Sequence, residues 1–232
     1  MYDVLSDAAR LDRPVGTYLL LWPTLWGLWL AADGLPKLDV LLIFVLGVYI
    51  MRAAGCVIND YADRKVDSYV KRTKCRPLAT GQISPKEALV LFFALCSLAF
   101  ILVIFTNSYN ISLSFVAVIL AAVYPFMKRY THWPQAVLGA AFAMAIPMGF
   151  AAQTNTTGLT AWLTFMAAIC MTIAYDTYYA MVDKEDDLKV GIKSTAVLFG
   201  KWDLTIIAAF QAMCVGLLFM VGQINQLNYS FY

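Results

Sequence analysis

Seven apolar runs divide the chain, each close to the length needed to cross a bilayer. They cover Val15–Ala32, Val40–Ile58, Ala88–Phe105, Ile111–Phe126, Pro134–Ala152, Leu159–Ala180 and Leu204–Val221. A helix crossing the hydrocarbon core needs about 20 apolar residues, with a range of about 17–25. The fourth run is short, but the longer runs on either side place it in the same environment. None of the runs alternates apolar and polar residues with period two, so helices and not strands are expected. The predicted class is all-α, a polytopic transmembrane helical bundle of seven spans forming a single domain over residues 1–232. Pro147 is expected to kink the fifth span. Its small residues Gly139, Ala140, Ala141, Ala143, Ala145 and Gly149 either line a channel or let helices approach closely.

The loops between the runs alternate in character. "ADGLPKLD", "TNSYN", "QTNTTG" and "GQINQLN" are nearly uncharged. "DAARLDRP", "NDYADRKVDSYVKRTKCRPLATGQISPKE", "MKRYTH" and "MVDKEDDLKVGIKSTAVLFGKWD" are rich in charge. Of the 17 Lys and Arg, only Lys37 and Arg52 fall outside the second set. Basic loops stay in the cytoplasm, so the N-terminus is expected inside and the end of the seventh span outside. The six tryptophans and Tyr49 sit mostly near span ends, where interfacial anchors belong.

Composition agrees with a membrane protein. The chain is 61% hydrophobic and 14% charged, with a mean hydropathy of +0.69. Soluble domains average about 45–50% apolar and about 25% charged. A net charge of +2 gives no ground for a nucleic-acid partner. The five cysteines show no C-x-x-C and no metal-ligand spacing, and most read as small core residues. The polar start "MYDVLSDAARLDRP" does not suggest a signal peptide.

Two acidic rows carry the candidate chemistry. After the second run, Asn59, Asp60, Asp63 and Asp67 fall within about 100° of one another on a helix turning about 100° per residue. After the sixth run, Asp176, Asp183 and Asp187 form a second stripe, with Asp186 at its edge. Like charges in a row repel and need neutralising. A solvated, salt-bridged surface is one solution. The other is a hard divalent cation, since oxygen ligands without His or Cys suit Mg²⁺. Mg²⁺ takes one or two protein carboxylates and fills its other positions with water and phosphate oxygens. Two such rows on two helices therefore predict a diphosphate held between them through Mg²⁺.

The cations divide in the same way. Lys71, Arg72, Lys74 and Arg76 follow the first row, Lys128 and Arg129 close the fourth run, and Lys189 and Lys193 follow the second row. Arg grips phosphate oxygens with two parallel hydrogen bonds. Lys65, Lys74, Lys86 and Lys201 read as cytoplasmic-side charges near anionic lipid. Arg52, two turns inside the second run, is either functional or reaches back to the interface. Asp176 is expected to face a cavity, since it shares the stripe with Asp183.

"NDYADRKVD", "KRTKCRPLATG", "YPFMKRYTHWPQAVLGAAF", "AYDTYYAMVDKEDDLKVGIKSTAVLFG" and "DRPVGTYLLLWPTLWGL" resemble the UbiA superfamily of intramembrane aromatic prenyltransferases. The resemblance runs from about residue 10 to the end of the chain. "LLLWPTLWGL", "YPFMKRYTH" and "DTYYAMVDKEDD" point to its hydroxybenzoate branch, which serves ubiquinone biosynthesis. The resemblance implies a nine-helix bundle around a cavity capped on the cytoplasmic side, in a bacterial inner membrane. With seven spans legible, two helices of that plan are expected to be missing from this sequence.

The implied substrates are polyprenyl diphosphate and 4-hydroxybenzoate. The implied Mg²⁺ ligands are Asn59, Asp63, Asp67, Asp183 and Asp187, with Asp60 a less settled member. Lys71, Arg72, Lys128 and Lys193 are expected to bind the diphosphate. Asp183 is the implied base, Arg129 is expected to hold the benzoate carboxylate or the phosphate, and Asp63 completes the catalytic set. Tyr124, Tyr175, Tyr178 and Tyr179 offer ring faces to a carbocation. His132, the one histidine, is a general base or a surface-loop residue. Two alternatives stay open: a related enzyme with another aromatic acceptor, and a cation transporter, whose acids should lie near mid-membrane.

Overall fold

The computed structural model describes residues 7–10, 14–69 and 73–228. The described residues form helices and connecting turns, with no strand among them. The helices are α1 (Val15–Ala32), α2 (Leu38–Asp63), α3 (Pro85–Ile104), α4 (Ser108–Met127), α5 (Pro134–Ala143), α6 (Ala145–Thr154), α7 (Leu159–Val190), α8 (Thr195–Phe199) and α9 (Asp203–Ile224). Seven helical segments are long and apolar enough to cross a membrane, with α5–α6 and α8–α9 each counting once.

Two helices outrun their apolar stretches. α2 continues past Ile58 to Asp63, and α7 continues past Ala180 to Val190. Both overhangs are polar, and both carry the acids singled out above. Gly191 in the left-handed region (φ 72°) ends α7 and turns the chain back toward α4.

The fifth span is interrupted at Met144, between α5 and α6. The cause lies three residues on. Pro147 has no N–H to return to the carbonyl of Ala143, so the ladder fails one turn before the proline. The small residues of this span then divide between the two expected roles. Gly139 lies against the Ile169 backbone, and Gly149 lies against Leu28. A methyl group at Gly27 would stand 2.9 Å from the Ile146 Cα, so α1 and α6 are nearly in backbone contact. Ala141 and Ala145 instead face a cavity.

One apolar cluster supports the polar end of the bundle. Ala8, from the N-terminal segment, packs with Ala54, Val57 and Ile58 of α2, with Leu78 and Ile83 of the following loop, and with Ala88 and Phe92 of α3. α3 starts on a full capping box, with Ser84 and Glu87 exchanging hydrogen bonds. Large side chains such as Val90, Ile104, Val215 and Phe219 point outward from α3 and α9, as hydrocarbon-facing residues would. Trp133 is half-exposed at the start of α5. It packs edge-on against Phe199 and Phe210, at 5.6 and 6.3 Å between ring centroids. Of the cysteines, Cys170 and Cys214 are buried in one cluster, while Cys75 is exposed.

Candidate active site

The overhangs of α2 and α7 converge on a polar cleft of about 200 Å³. Asn59, Asp63 and Asp67 line one wall, and Asp176, Asp183 and Asp187 line the other. Arg76, Lys128 and Lys193 supply positive charge from three further segments. The two acidic stripes thus face each other across one space.

Asp63 is buried and half satisfied. Lys128, just past the end of α4, donates to its Oδ2. Its Oδ1 is buried without a hydrogen-bond partner. The loop after α7 steadies this corner, because the Lys193 amide donates to the Lys128 carbonyl at 2.9 Å. The Lys193 ammonium itself reaches the Tyr130 carbonyl at 3.2 Å.

Asp67 reaches the cleft by a different route from the one its spacing predicts. α2 ends at Asp63, and Asp67 opens a single 3₁₀ turn. Arg76 holds its Oδ2 at 2.9 Å, and the Thr73 hydroxyl donates to its carbonyl at 3.1 Å. The loop, not helical periodicity, brings it into line with Asn59 and Asp63.

Asp60 does not line the cleft. It is 1% exposed and takes Arg10 at 2.6 Å and Arg76 at 3.1 Å on the same oxygen. Burial weakens the Arg10 charge, but Asp60, Cys56 and Tyr124 together outweigh it and hold the guanidinium above its ordinary value. Arg52 turns to the N-terminal segment. It donates to the carbonyls of Ala9 and Arg10, at 3.0 and 3.3 Å, and to the Cys56 sulfur at 2.9 Å. It therefore fastens that segment onto α2.

One expectation changes. Arg129 is exposed, is not among the cleft-lining side chains, and donates to the Ala62 carbonyl. Its expected grip on a benzoate carboxylate has no support in this geometry. Asp186 turns outward to Lys189 at 3.3 Å. His132 sits in the α4–α5 link and lines neither cavity. Lys71 and Arg72 lie outside the described residues.

An apolar chamber of about 480 Å³ lies deeper in the bundle. Phe44, Val48, Met51, Phe93, Phe100, Val118, Phe142 and Met148 are among its walls. Tyr124 lines both chamber and cleft, and its hydroxyl donates to the Gly55 carbonyl at 3.3 Å. Of the other tyrosines considered, Tyr179 reaches the cleft, while Tyr175 and Tyr178 line neither space.

Whether these residues suit Mg²⁺ can be judged from their donors. Among the described residues, no group of three His, Cys, Asp or Glu could hold a metal unaided. A hexacoordinate ion that keeps waters and phosphate oxygens needs only one or two carboxylates at a time. The donors facing the cleft are all oxygens, and Asp63 Oδ1 is an unpartnered buried one. The residues fit an ion that arrives with its own phosphate ligands.

Arg76, Gln135 and Ser194 belong to the cleft but stood out little in the sequence. Gln135 accepts from the Thr195 amide at 3.2 Å and so ties α5 to the start of α8. A polar residue at the start of an apolar helix was the one available signal for it. Nothing in the spacing of Arg76 marks its double attachment.

The chain matches the UbiA prenyltransferase family over residues 20–232. It is 60% identical over 222 residues to 4-hydroxybenzoate octaprenyltransferase of Saccharophagus degradans, covering 96% of this chain and 74% of that protein. It is 63% identical over 213 residues to the protein of the same name from Chromohalobacter salexigens, covering 92% of this chain and 72% of that one. The chain thus spans about three quarters of the length of these relatives. Among solved structures, a UbiA homolog from Aeropyrum pernix superposes with a TM-score of 0.84 at 26% identity, covering 94% of this chain and 82% of that one. A UbiA homolog from Archaeoglobus fulgidus, bound to GPP and Mg²⁺, gives 0.77 at 23% identity, covering 98% and 80%, a likeness of fold. With its polar cleft opening beside an apolar chamber, this chain belongs to the UbiA prenyltransferase family.

Proposed function

We propose that the chain transfers a polyprenyl group from polyprenyl diphosphate to the ring carbon ortho to the hydroxyl of 4-hydroxybenzoate. The products are 3-polyprenyl-4-hydroxybenzoate, an intermediate on the way to ubiquinone, and diphosphate. One observation carries the reading: an acid- and cation-lined cleft and an apolar chamber share Tyr124 as a common wall. A substrate with a charged head and a hydrocarbon tail fits across that boundary, with its reactive carbon beside the ring. The names of relatives 58–63% identical to this chain support the same chemistry.

The tail lies in the chamber, where water is excluded and an allylic cation is protected from hydrolysis. The diphosphate lies in the cleft, where Lys128 and Lys193 bind its oxygens. Asn59, Asp63, Asp67, Asp183 and Asp187 would hold Mg²⁺, which when bound neutralises charge on the departing diphosphate. The carbon–oxygen bond breaks, and the Tyr124 face stabilises the positive charge left on the prenyl carbon. The electron-rich ring forms the new carbon–carbon bond. Asp183 then takes the proton from the substituted ring carbon. The acidic rows lie at the polar ends of two helices, not along a path through the bundle, which disfavours a cation transporter. The charge asymmetry of the loops supports a cytoplasmic position for this end and for the N-terminus, and the reading sets the chain in a bacterial inner membrane.

Membranes carrying the chain, incubated with labelled 4-hydroxybenzoate, a prenyl diphosphate and Mg²⁺, should form a prenylated, organic-extractable product. Folded chain in membranes that yields no such product with any prenyl length overturns the reading.

A further inference from the structure

Asp60 sits between the two neighbours most implicated in metal binding, Asn59 and Asp63, yet it is withdrawn from the cleft they line. It is one of the most deeply buried acids in the described chain, and its Oδ2 has no hydrogen-bond partner. Its Oδ1 is shared between Arg10 and Arg76. Arg76 is in turn shared: the same Nη1 lies 3.1 Å from Asp60 Oδ1 and 2.9 Å from Asp67 Oδ2. Asp67 faces the cleft, and Asp60 does not. One guanidinium nitrogen is therefore divided between a cleft-lining carboxylate and one behind the wall.

We propose that Asp60 is a positioning residue that keeps Asp67 available to the metal by drawing off part of the Arg76 charge. The inference rests on the metal reading given above. An Arg fully committed to Asp67 would compete with a cation for the same carboxylate. An Arg shared with Asp60 holds Asp67 in place while leaving more of its charge for the ion. Arg10 sets the balance from the far side. It draws Asp60 toward the N-terminal segment, and so limits how much of Arg76 Asp60 can claim. Outer partners of metal ligands usually change metal affinity by about 10–100-fold when removed.

The arrangement predicts effects of opposite sign from the two ends of one ion-pair network. Asp60→Asn frees Arg76 for Asp67 and should weaken metal binding by about 10-fold. Arg10→Gln gives Asp60 a larger share of Arg76, so metal binding should hold or tighten. The double variant Asp60→Asn/Arg76→Gln removes the competing cation and should recover most of the loss. A network that only holds the fold would make Asp60→Asn and Arg10→Gln alike. Arg52 still bonds the Ala9 and Arg10 carbonyls in both variants, so the N-terminal segment keeps a second attachment.

The test is Mn²⁺ binding to the full chain in detergent, followed by electron paramagnetic resonance with a non-ionising prenyl thiolodiphosphate present. Melting temperature is recorded for each variant. Weakening in Asp60→Asn, recovery in the double variant and no weakening in Arg10→Gln support the proposal. Unchanged affinity in Asp60→Asn overturns it. Weakening that Arg76→Gln does not relieve also overturns it and makes Asp60 a direct ligand. A native chain that binds no Mn²⁺ overturns the metal reading along with the proposal, while native binding with an indifferent Asp60→Asn overturns the proposal alone.

Discussion

Lys128 and Asp63 form an ion pair across the cleft floor, joining the end of α4 to the end of α2, and the second oxygen of Asp63 is buried without a partner. Breaking a buried pair leaves its survivor as an uncompensated charge, at a cost of about 3–5 kcal/mol. Lys128→Met should therefore lower thermal stability in detergent by a loss of that order. Divalent cation should restore part of it, because an ion that binds only the folded chain stabilises it by mass action. A melting curve of Lys128→Met that matches the native one, with and without Mg²⁺, would sink this assignment.

Asp63→Ala and Asp183→Ala each remove a carboxylate from opposite walls of the cleft. Prenylation of 4-hydroxybenzoate in membranes should fall by about 100-fold or more in each, as expected when charge stabilisation in the transition state is lost. Product formation at native rates in either variant argues that the cleft is not where the diphosphate departs.

Chelation gives a reversible version of the same test. Activity should vanish with excess EDTA and return on adding Mg²⁺, while Ca²⁺, larger and less demanding in geometry, should restore it poorly. Activity that survives exhaustive chelation would leave the lysines and Arg76 to carry the diphosphate unaided.

Ala121 lines the chamber together with Tyr124. Ala121→Trp should fill space needed by long tails and leave short ones room. The KM for a long prenyl diphosphate should rise by about 10-fold, equivalent to ~1.4 kcal/mol, with geranyl diphosphate little affected. Equal effects on both would place the tail elsewhere.

Close helix packing can be tested apart from chemistry. Gly27→Ala puts a methyl group 2.9 Å from the Ile146 Cα and should cost about 1–3 kcal/mol in stability. Gly216→Ala meets nothing within 4 Å in mid-helix and should gain up to about 1 kcal/mol. Paired melting curves in the same detergent decide between them.

The spans were legible because a bilayer demands long apolar helices, and that demand is written in the sequence residue by residue. The acidic stripes were legible on α7 for the same reason, as one unbroken helix carries Asp176, Asp183 and Asp187. On α2 the periodic argument reached Asp63 and then failed. Asp67 is placed by Arg76 and Thr73 across a loop, and no local pattern encodes such a contact. Arg52 and Arg129 show the same boundary. Arg52 was open to a functional or an interfacial role and Arg129 to holding an anion, and both bond backbone carbonyls of other segments. Sequence shows where a charge lies along the chain, and only tertiary packing decides what it faces.

The wall that Tyr124 forms between cleft and chamber also bears on how the enzyme finds the bond it breaks. A prenyl diphosphate changes from salt to oil at a single atom, whatever the number of isoprene units behind it. If the protein changes solvent character at one ring, the substrate aligns itself by its own polarity boundary. The bond to be broken then arrives at the same place for every tail, and tail length is measured only at the far end of the chamber. Reaction register and chain-length preference would be separate properties, open to change one without the other.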